Sequence, residues 1–194
     1  MIRTVCVYCG SNTGSDPAFA EGTRQLARRL VERDIRIVYG GGHVGLMGIL
    51  ADTAMAAGGE VVGVIPQALV DREIGHSGLS DLRVVGSMHE RKALMAELGE
   101  AFIALPGGIG TLEELIEVYT WSQLGMHRKP LGVLNVSGYY DALAAFLDHA
   151  VRERFLRQAH RDVLVFEADP DALLARLARF EPPPLTKWLT PSET

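Results

Sequence analysis

Short runs of aliphatic and β-branched residues alternate with longer amphipathic stretches along the whole chain. Val5–Tyr8, Ile35–Tyr39, Val61–Ile65, Phe102–Leu105, Leu131–Asn135 and Val163–Phe166 have strand length, and Leu82–Val85 reads as a further short strand. The stretches between them carry helix signals. Asp16-Pro17 opens a helix to about Glu32, with Asp accepting orphan N–H groups and Pro at the first helical position. Leu46–Ala57 stops at Gly58-Gly59, where left-handed backbone is accessible. Met88–Leu98, Leu112–Leu124 and about Tyr139 to Arg154 follow, and Asp169-Pro170 opens the last helix. Between Gln67 and Leu82 the pattern lapses into a loop or short helix. Strand–helix alternation of this kind predicts an α/β fold: a single Rossmann-like domain over residues 1–180, a doubly wound and mainly parallel sheet with helices on both faces. Residues 181–194, with Pro182-Pro183-Pro184, form a tail expected to be extended and peripheral.

Such sheets bind ligands outside the carboxyl ends of their strands. Cys9–Ser11, Gly40–Gly42, Pro66 onward and Pro106–Thr111 all fall there. The 194 residues carry a net charge of −5, so no basic surface points to nucleic acid or to an anionic membrane. An anionic ligand must be held by local groups. No apolar run reaches the roughly 18 residues of a membrane span, and the first strand is too short for a secretory core; the expectation is a cytoplasmic protein. Cys6 and Cys9 form a C-x-x-C pair along a strand, without the helix start a redox pair needs or the further ligands zinc needs. They read as buried thiols, with no disulfide and no metal.

Pro106-Gly107-Gly108-Ile109-Gly110-Thr111-Leu112-Glu113-Glu114 is the sharpest signal. Its glycines admit close approach of a ligand, and the helix behind directs free N–H groups and a positive dipole end at an anion. Thr111 either caps that helix or donates to phosphate; Glu114 either completes a Thr-x-x-Glu capping box or faces the pocket. Gly40-Gly41-Gly42 lacks the P-loop lysine and the dinucleotide spacing, and is either a packing turn or a second ligand loop. His89-Glu90-Arg91-Lys92 sets cations in a first turn, against the helix dipole. That is a solvated turn or the neighbour of a bound phosphate. His43, His127, His149 and His160 are read as structural, and so for the most part are His76 and His89.

These segments together resemble the LOG ("Lonely Guy") family, cytokinin riboside 5′-monophosphate phosphoribohydrolases long mislabelled as lysine decarboxylases. The matching stretches are Cys6–Ser11, Val38–Gly42 with Gly45–Gly48, Gly63–Pro66, Met88–Lys92, Pro106–Glu114 and Thr120–Gly125. The resemblance implies hydrolysis of the N-glycosidic bond of adenine or N6-substituted adenine riboside 5′-monophosphates, releasing free base and ribose 5-phosphate. It makes Arg91, Lys92 and Glu114 the catalytic candidates. Gly107, Gly108, Ile109, Gly110, Thr111, Leu112 and Glu113 become the phosphate-and-ribose loop, Glu73 and Thr120 further substrate contacts, and Ser11, Gly41 and Gly42 neighbouring ones. It implies no metal or organic cofactor, and a homodimer with its site near the interface; Met88–Leu98 and Leu112–Leu124 are the expected contact helices. In the mechanism this suggests, the 5′-phosphate rests on Gly108–Thr111 and cleavage passes through an oxocarbenium-like ribosyl cation. Glu114 stabilises that cation or orients water, Arg91 assists the departing purine or the phosphate, and Lys92 positions phosphate or supports Glu114. The alternative is a non-catalytic purine nucleotide carrier or sensor. A pyridoxal-phosphate decarboxylase is disfavoured by the glycine loops and the short chain, and a pure interaction module would leave those loops without purpose.

Overall fold

A computed structural model describes residues 2–72, 75–79 and 81–183. In chain order the elements are β1 Thr4–Tyr8, α1 Pro17–Val31, β2 Arg36–Tyr39, α2 Gly45–Ala56, β3 Val61–Pro66, α3 Gln67–Val70, β4 Asp81–Val85 and α4 Met88–Leu98. They continue with β5 Ala101–Ala104, α5 Ile109–Leu124, β6 Leu131–Leu134, α6 Asp141–Arg152, α7 Gln158–Arg161, β7 Leu164–Glu167 and α8 Pro170–Ala178. The strands make one seven-stranded sheet in the order β4-β3-β2-β1-β5-β6-β7. Every pairing in it is parallel, so the expected sheet is present without an antiparallel member. Winding reverses between β1 and β5, which opens a crevice at their carboxyl ends.

Alternation along β1 divides the interior. Val5, Val7 and Cys9 face a core filled by α1, α2 and α8, whereas Cys6 and Tyr8 face the core under α4, α5 and α6. The two thiols therefore stand on opposite faces of the sheet, both free and buried. Burial pushes Cys6 up to about 12 and Cys9 higher still, so both remain neutral thiols.

Local signals explain most boundaries. Asp16 Oδ1 accepts from Ala18 N at 2.8 Å and Asp169 Oδ1 from Ala172 N at 2.8 Å, each ahead of a first-position proline. The lapse after β3 resolves into the four-residue α3, the segment around His76 and β4. Two expectations need correction. α5 begins at Ile109 rather than Leu112, and α7 is an additional helix of four residues, too short to show periodicity. Glu73 and the tail from 184 onward lie outside the described residues. Among the described residues no helix is long and apolar enough to cross a membrane.

Candidate active site

Because all strands run the same way, the loops after β1, β2, β3 and β5 meet at one edge. Their backbones interlock there: Gly10 N donates to Pro106 O and Leu46 N to Gly10 O, both at 3.0 Å. Gly107 sits so close to the first turn of α5 that any Cβ on it would fall on Thr111 Oγ1. The result is a cleft of about 390 Å³ floored by Cys9–Ser11 and Gly40, with Met47, Ile65 and Leu69 on one side and Gly108–Thr111 on the other. A hollow of about 270 Å³ adjoins it across Ser11 and Gly108. In a hollow of about 550 Å³ at the opposite sheet edge, Arg36 pairs with Glu60 and Arg3 with Glu100.

The start of α5 decides what the glycine motif does. Gly108 occupies the N-cap with extended backbone and no side-chain cap. Leu112 N, donating to Gly108 O at 3.1 Å, makes the first helical bond. The N–H groups of Ile109, Gly110 and Thr111 precede it and have no acceptor within the helix, which leaves the positive dipole end at the cleft. Thr111 lies inside the first turn, buried against Gly107, so it does not cap the helix. The Thr111–Glu114 capping box is therefore not formed. A related cap forms at α4, where Ser87 Oγ accepts from Glu90 N at 3.1 Å and Glu90 Oε2 reaches one residue past the N-cap to accept from Gly86 N at 2.8 Å. Glu90 there offsets the unfavourable placement of cations in that first turn.

Arg91 turns inward from α4. Its Nε donates to Val64 O at 3.1 Å and its Nη2 to Gly40 O at 3.3 Å, bracing the ends of β3 and β2. Any Cβ at Gly40 would fall on the guanidinium, so glycine there makes the seat. Arg91 Nη1 lies 3.4 Å from Glu114 Oε1, and both side chains are only 11% exposed. Burial raises the Glu114 pKa above the ordinary carboxylate value; Arg91 pulls the other way, Glu113 adds to the rise, and Lys92 opposes it. The cleft thus holds one shielded carboxylate–guanidinium pair beside a helix start suited to phosphate.

Lys92, the neighbour of Arg91, goes elsewhere. Its Nζ donates to Glu113 Oε1 and, at 3.0 Å, to Glu117 Oε1 along the α4–α5 seam. The Glu113 hydrogen bond is the main reason its pKa is raised. In this chain Lys92 and Glu113 tie two helices together outside the cleft. Thr120 Oγ1 donates to Ile116 O at 2.7 Å on the exposed flank of α5. Leu112 packs against the core and Gly107 lines the adjoining hollow, while Gly41 packs against Ile65. Ser11, Gly42, Arg91, Gly108, Ile109, Gly110, Thr111 and Glu114 do converge. Met47, Ile65 and Leu69 are additional lining residues; Met47 belongs to the Gly45–Gly48 segment and Ile65 to Gly63–Pro66, while Leu69 carries no signal beyond an apolar run. His76 is a buried anchor. Its backbone N donates to Gly41 O at 2.9 Å, Nε2 lies 2.9 Å from Asp52 Oδ1, and Nδ1 accepts from Gly78 N at 3.1 Å.

Fold and site together define a Rossmann-like α/β protein with a buried ionic pair in the cleft at its strand ends. The family model described as "possible lysine decarboxylase" matches residues 47–177. Cytokinin riboside 5′-monophosphate phosphoribohydrolase LOG7 of Arabidopsis thaliana is 49% identical over 180 residues, covering 93% of this chain and 83% of that protein. Cytokinin riboside 5′-monophosphate phosphoribohydrolase LOG of Oryza sativa subsp. japonica is 46% identical over 180 residues, covering 93% and 74%. The chain belongs to this LOG phosphoribohydrolase family. The molybdenum cofactor binding protein of Rippkaea orientalis superimposes with a TM-score of 0.70 at 18% identity, covering 92% of this chain and 97% of that one, a likeness of fold.

Proposed function

We propose that this chain hydrolyses the bond between base and ribose in AMP and in N6-substituted adenosine 5′-monophosphates, releasing free base and ribose 5-phosphate. The observation that carries the reading is the shielded Glu114–Arg91 pair facing the start of α5. The 5′-phosphate docks on the N–H groups of Gly108–Thr111 and on Ser11, which places the ribose beside Glu114. As C1′–N9 breaks, its electron pair leaves with the base and positive charge grows on the ribose. Ionised Glu114 stabilises that charge, and water adds its oxygen to C1′ while its proton goes to the base. Arg91 orients Glu114 and faces the departing purine; a guanidinium does not give up a proton at neutral pH. Met47, Ile65 and Leu69 form the apolar wall for the purine. The family model's description would call for pyridoxal phosphate held as a Schiff base. Neither Lys92 nor Lys129 lines the cleft: Lys129 Nζ donates to Ala96 O at 2.7 Å and Lys92 is bound to α5. Among the described residues, no lysine is placed to hold that cofactor. A carrier of the same fold would use the glycine loops but leave the Glu114–Arg91 pair without work.

Comparing AMP with adenosine tests the assignment of the phosphate seat. Two hydrogen bonds to a charged group, at about 1.5–3 kcal/mol each, give AMP an advantage of about 10²–10⁴ in kcat/KM. Equal turnover of the two would remove the phosphate from this loop.

We further propose a cytoplasmic homodimer; the free thiols and the nucleotide substrate fit that location. Ile109 is 82% exposed, Ile116 37% and Met88 43%, on the flanks of α5 and α4. Glu113 and Thr120 share the α5 stripe at helical spacing, so pairing through it would carry them to the edge of a site. Light scattering should give twice the chain mass, with Ile116→Asp shifted towards monomer. A wild-type monomer at assay concentration would exclude the arrangement.

A further inference from the structure

The turn after β6 adopts an uncommon backbone, with φ of +51° at Ser137 and +69° at Gly138. Side chains hold it: Asn135 Oδ1 accepts from Tyr140 N at 2.7 Å, and Asn135 Nδ2 donates to Asp141 Oδ1 at 2.6 Å. What this turn presents is two adjacent phenols. Tyr140 Oη donates to Leu105 O at 2.8 Å and Tyr139 Oη to Gly107 O at 2.7 Å, on either side of Pro106. The two rings meet edge to face at 4.9 Å, and Phe19 of α1 meets Tyr139 likewise at 5.4 Å. Tyr140 is buried, whereas Tyr139 is 44% exposed beside the hollow that adjoins the cleft.

The peptide between Gly107 and Gly108 has no side chain on either flank to fix its orientation. Turned one way it offers a bound anion a carbonyl oxygen, which repels it. Turned the other way it offers an N–H. A trans peptide is planar, with C=O and N–H pointing to opposite sides. A donor on the Gly107 carbonyl therefore sends the Gly108 N–H away from Tyr139.

We propose that Tyr139 is a positioning residue for the anion-binding loop, holding the Gly107–Gly108 peptide in the orientation that favours a phosphoryl group. This rests on Gly108–Thr111 being the phosphate seat of the proposed function. Tyr140 fixes the strand end of the same loop through Leu105. In this role Tyr139 acts on the substrate only through the loop.

Tyr139→Phe removes the hydroxyl and keeps the ring that packs on Phe19 and Tyr140. Calorimetric titration with ribose 5-phosphate and with adenosine, each binding without turnover of a 5′-monophosphate, separates the phosphate arm from the base arm. The dissociation constant for ribose 5-phosphate should rise by about 3–10-fold, the equivalent of one hydrogen bond. Adenosine binding and melting temperature should stay as in the wild type, and with AMP the change should fall on KM rather than kcat. Unchanged ribose 5-phosphate binding overturns the proposal, and so does weakening of both ligands together with a lower melting temperature. If the wild type binds ribose 5-phosphate but never releases base from AMP, the catalytic reading fails while the loop assignment stands. Wild-type turnover with an indifferent Tyr139→Phe protein defeats the positioning role of Tyr139 alone.

Discussion

Glu114→Gln is expected to fold, to bind AMP, and to lose about 10²–10³ in turnover, the usual consequence of removing one electrostatic contact aimed at a transition-state charge. Glutamine keeps the shape and a hydrogen-bonding oxygen but not the charge that the ribosyl cation needs. Stability should respond differently. Burial raises the Glu114 pKa above its ordinary 4.5. Between that value and the raised one, the folded state holds a proton that the unfolded state has released, so stability falls as pH rises through the window. The charge on Glu114 is a burden that Arg91 only partly offsets, and the glutamine variant should melt no lower than the wild type. The same shift places the Glu114 limb in kcat/KM on the high side of pH 4.5, because that parameter reports the free enzyme; the limb should vanish in the variant. Near wild-type turnover in Glu114→Gln would leave the chemistry without its carboxylate.

Arg91→Ala should be at least as inactive, by about 10² or more, and should also unfold more easily. The guanidinium braces Gly40 O and Val64 O as well as pairing with Glu114. Its removal leaves a carboxylate that is 11% exposed without a counter-charge, a loss of about 3–5 kcal/mol for a buried pair. Protonation relieves part of that loss, since Arg91 is what lowers the Glu114 pKa. Two consequences follow for thermal unfolding. The deficit of Arg91→Ala relative to wild type should shrink on acidification. The double variant with Glu114→Gln should melt higher than Arg91→Ala alone, the non-additivity expected of residues in contact. Arg91→Lys should not restore activity, because one ammonium cannot reach two carbonyls and a carboxylate at separate positions. An additive double variant would mean that the two side chains do not act as a pair.

Strand positions were legible because each apolar run is bounded by glycine, proline or a charged residue, and the helices opened by Asp16-Pro17 and Asp169-Pro170 carry their own caps. The start of α5 was not, because its N-cap is a glycine that leaves no side-chain signal, while Thr111 and Glu114 mimic a capping box. The seating of Arg91 and Lys92 was equally hidden. Adjacent helical positions diverge by about 100°, and only packing shows that Arg91 turns to the cleft and Lys92 to Glu113 and Glu117. Tyr139 and Tyr140 follow an irregular turn, where no periodicity reports which way a side chain points. Their carbonyl partners lie more than 30 residues back in the sequence. The motif Pro106–Glu114 was readable as chemistry because glycine spacing reports backbone approach directly; the residues that hold the motif in place were not.

The most direct test of base–ribose cleavage is to incubate the purified protein with AMP and with N6-isopentenyladenosine 5′-monophosphate and to identify the products by chromatography and mass spectrometry. Adenine or the isopentenylated base should appear in step with an equal amount of ribose 5-phosphate. Recovery of adenosine and inorganic phosphate, or of intact nucleotide bound to an inactive protein, would contradict it.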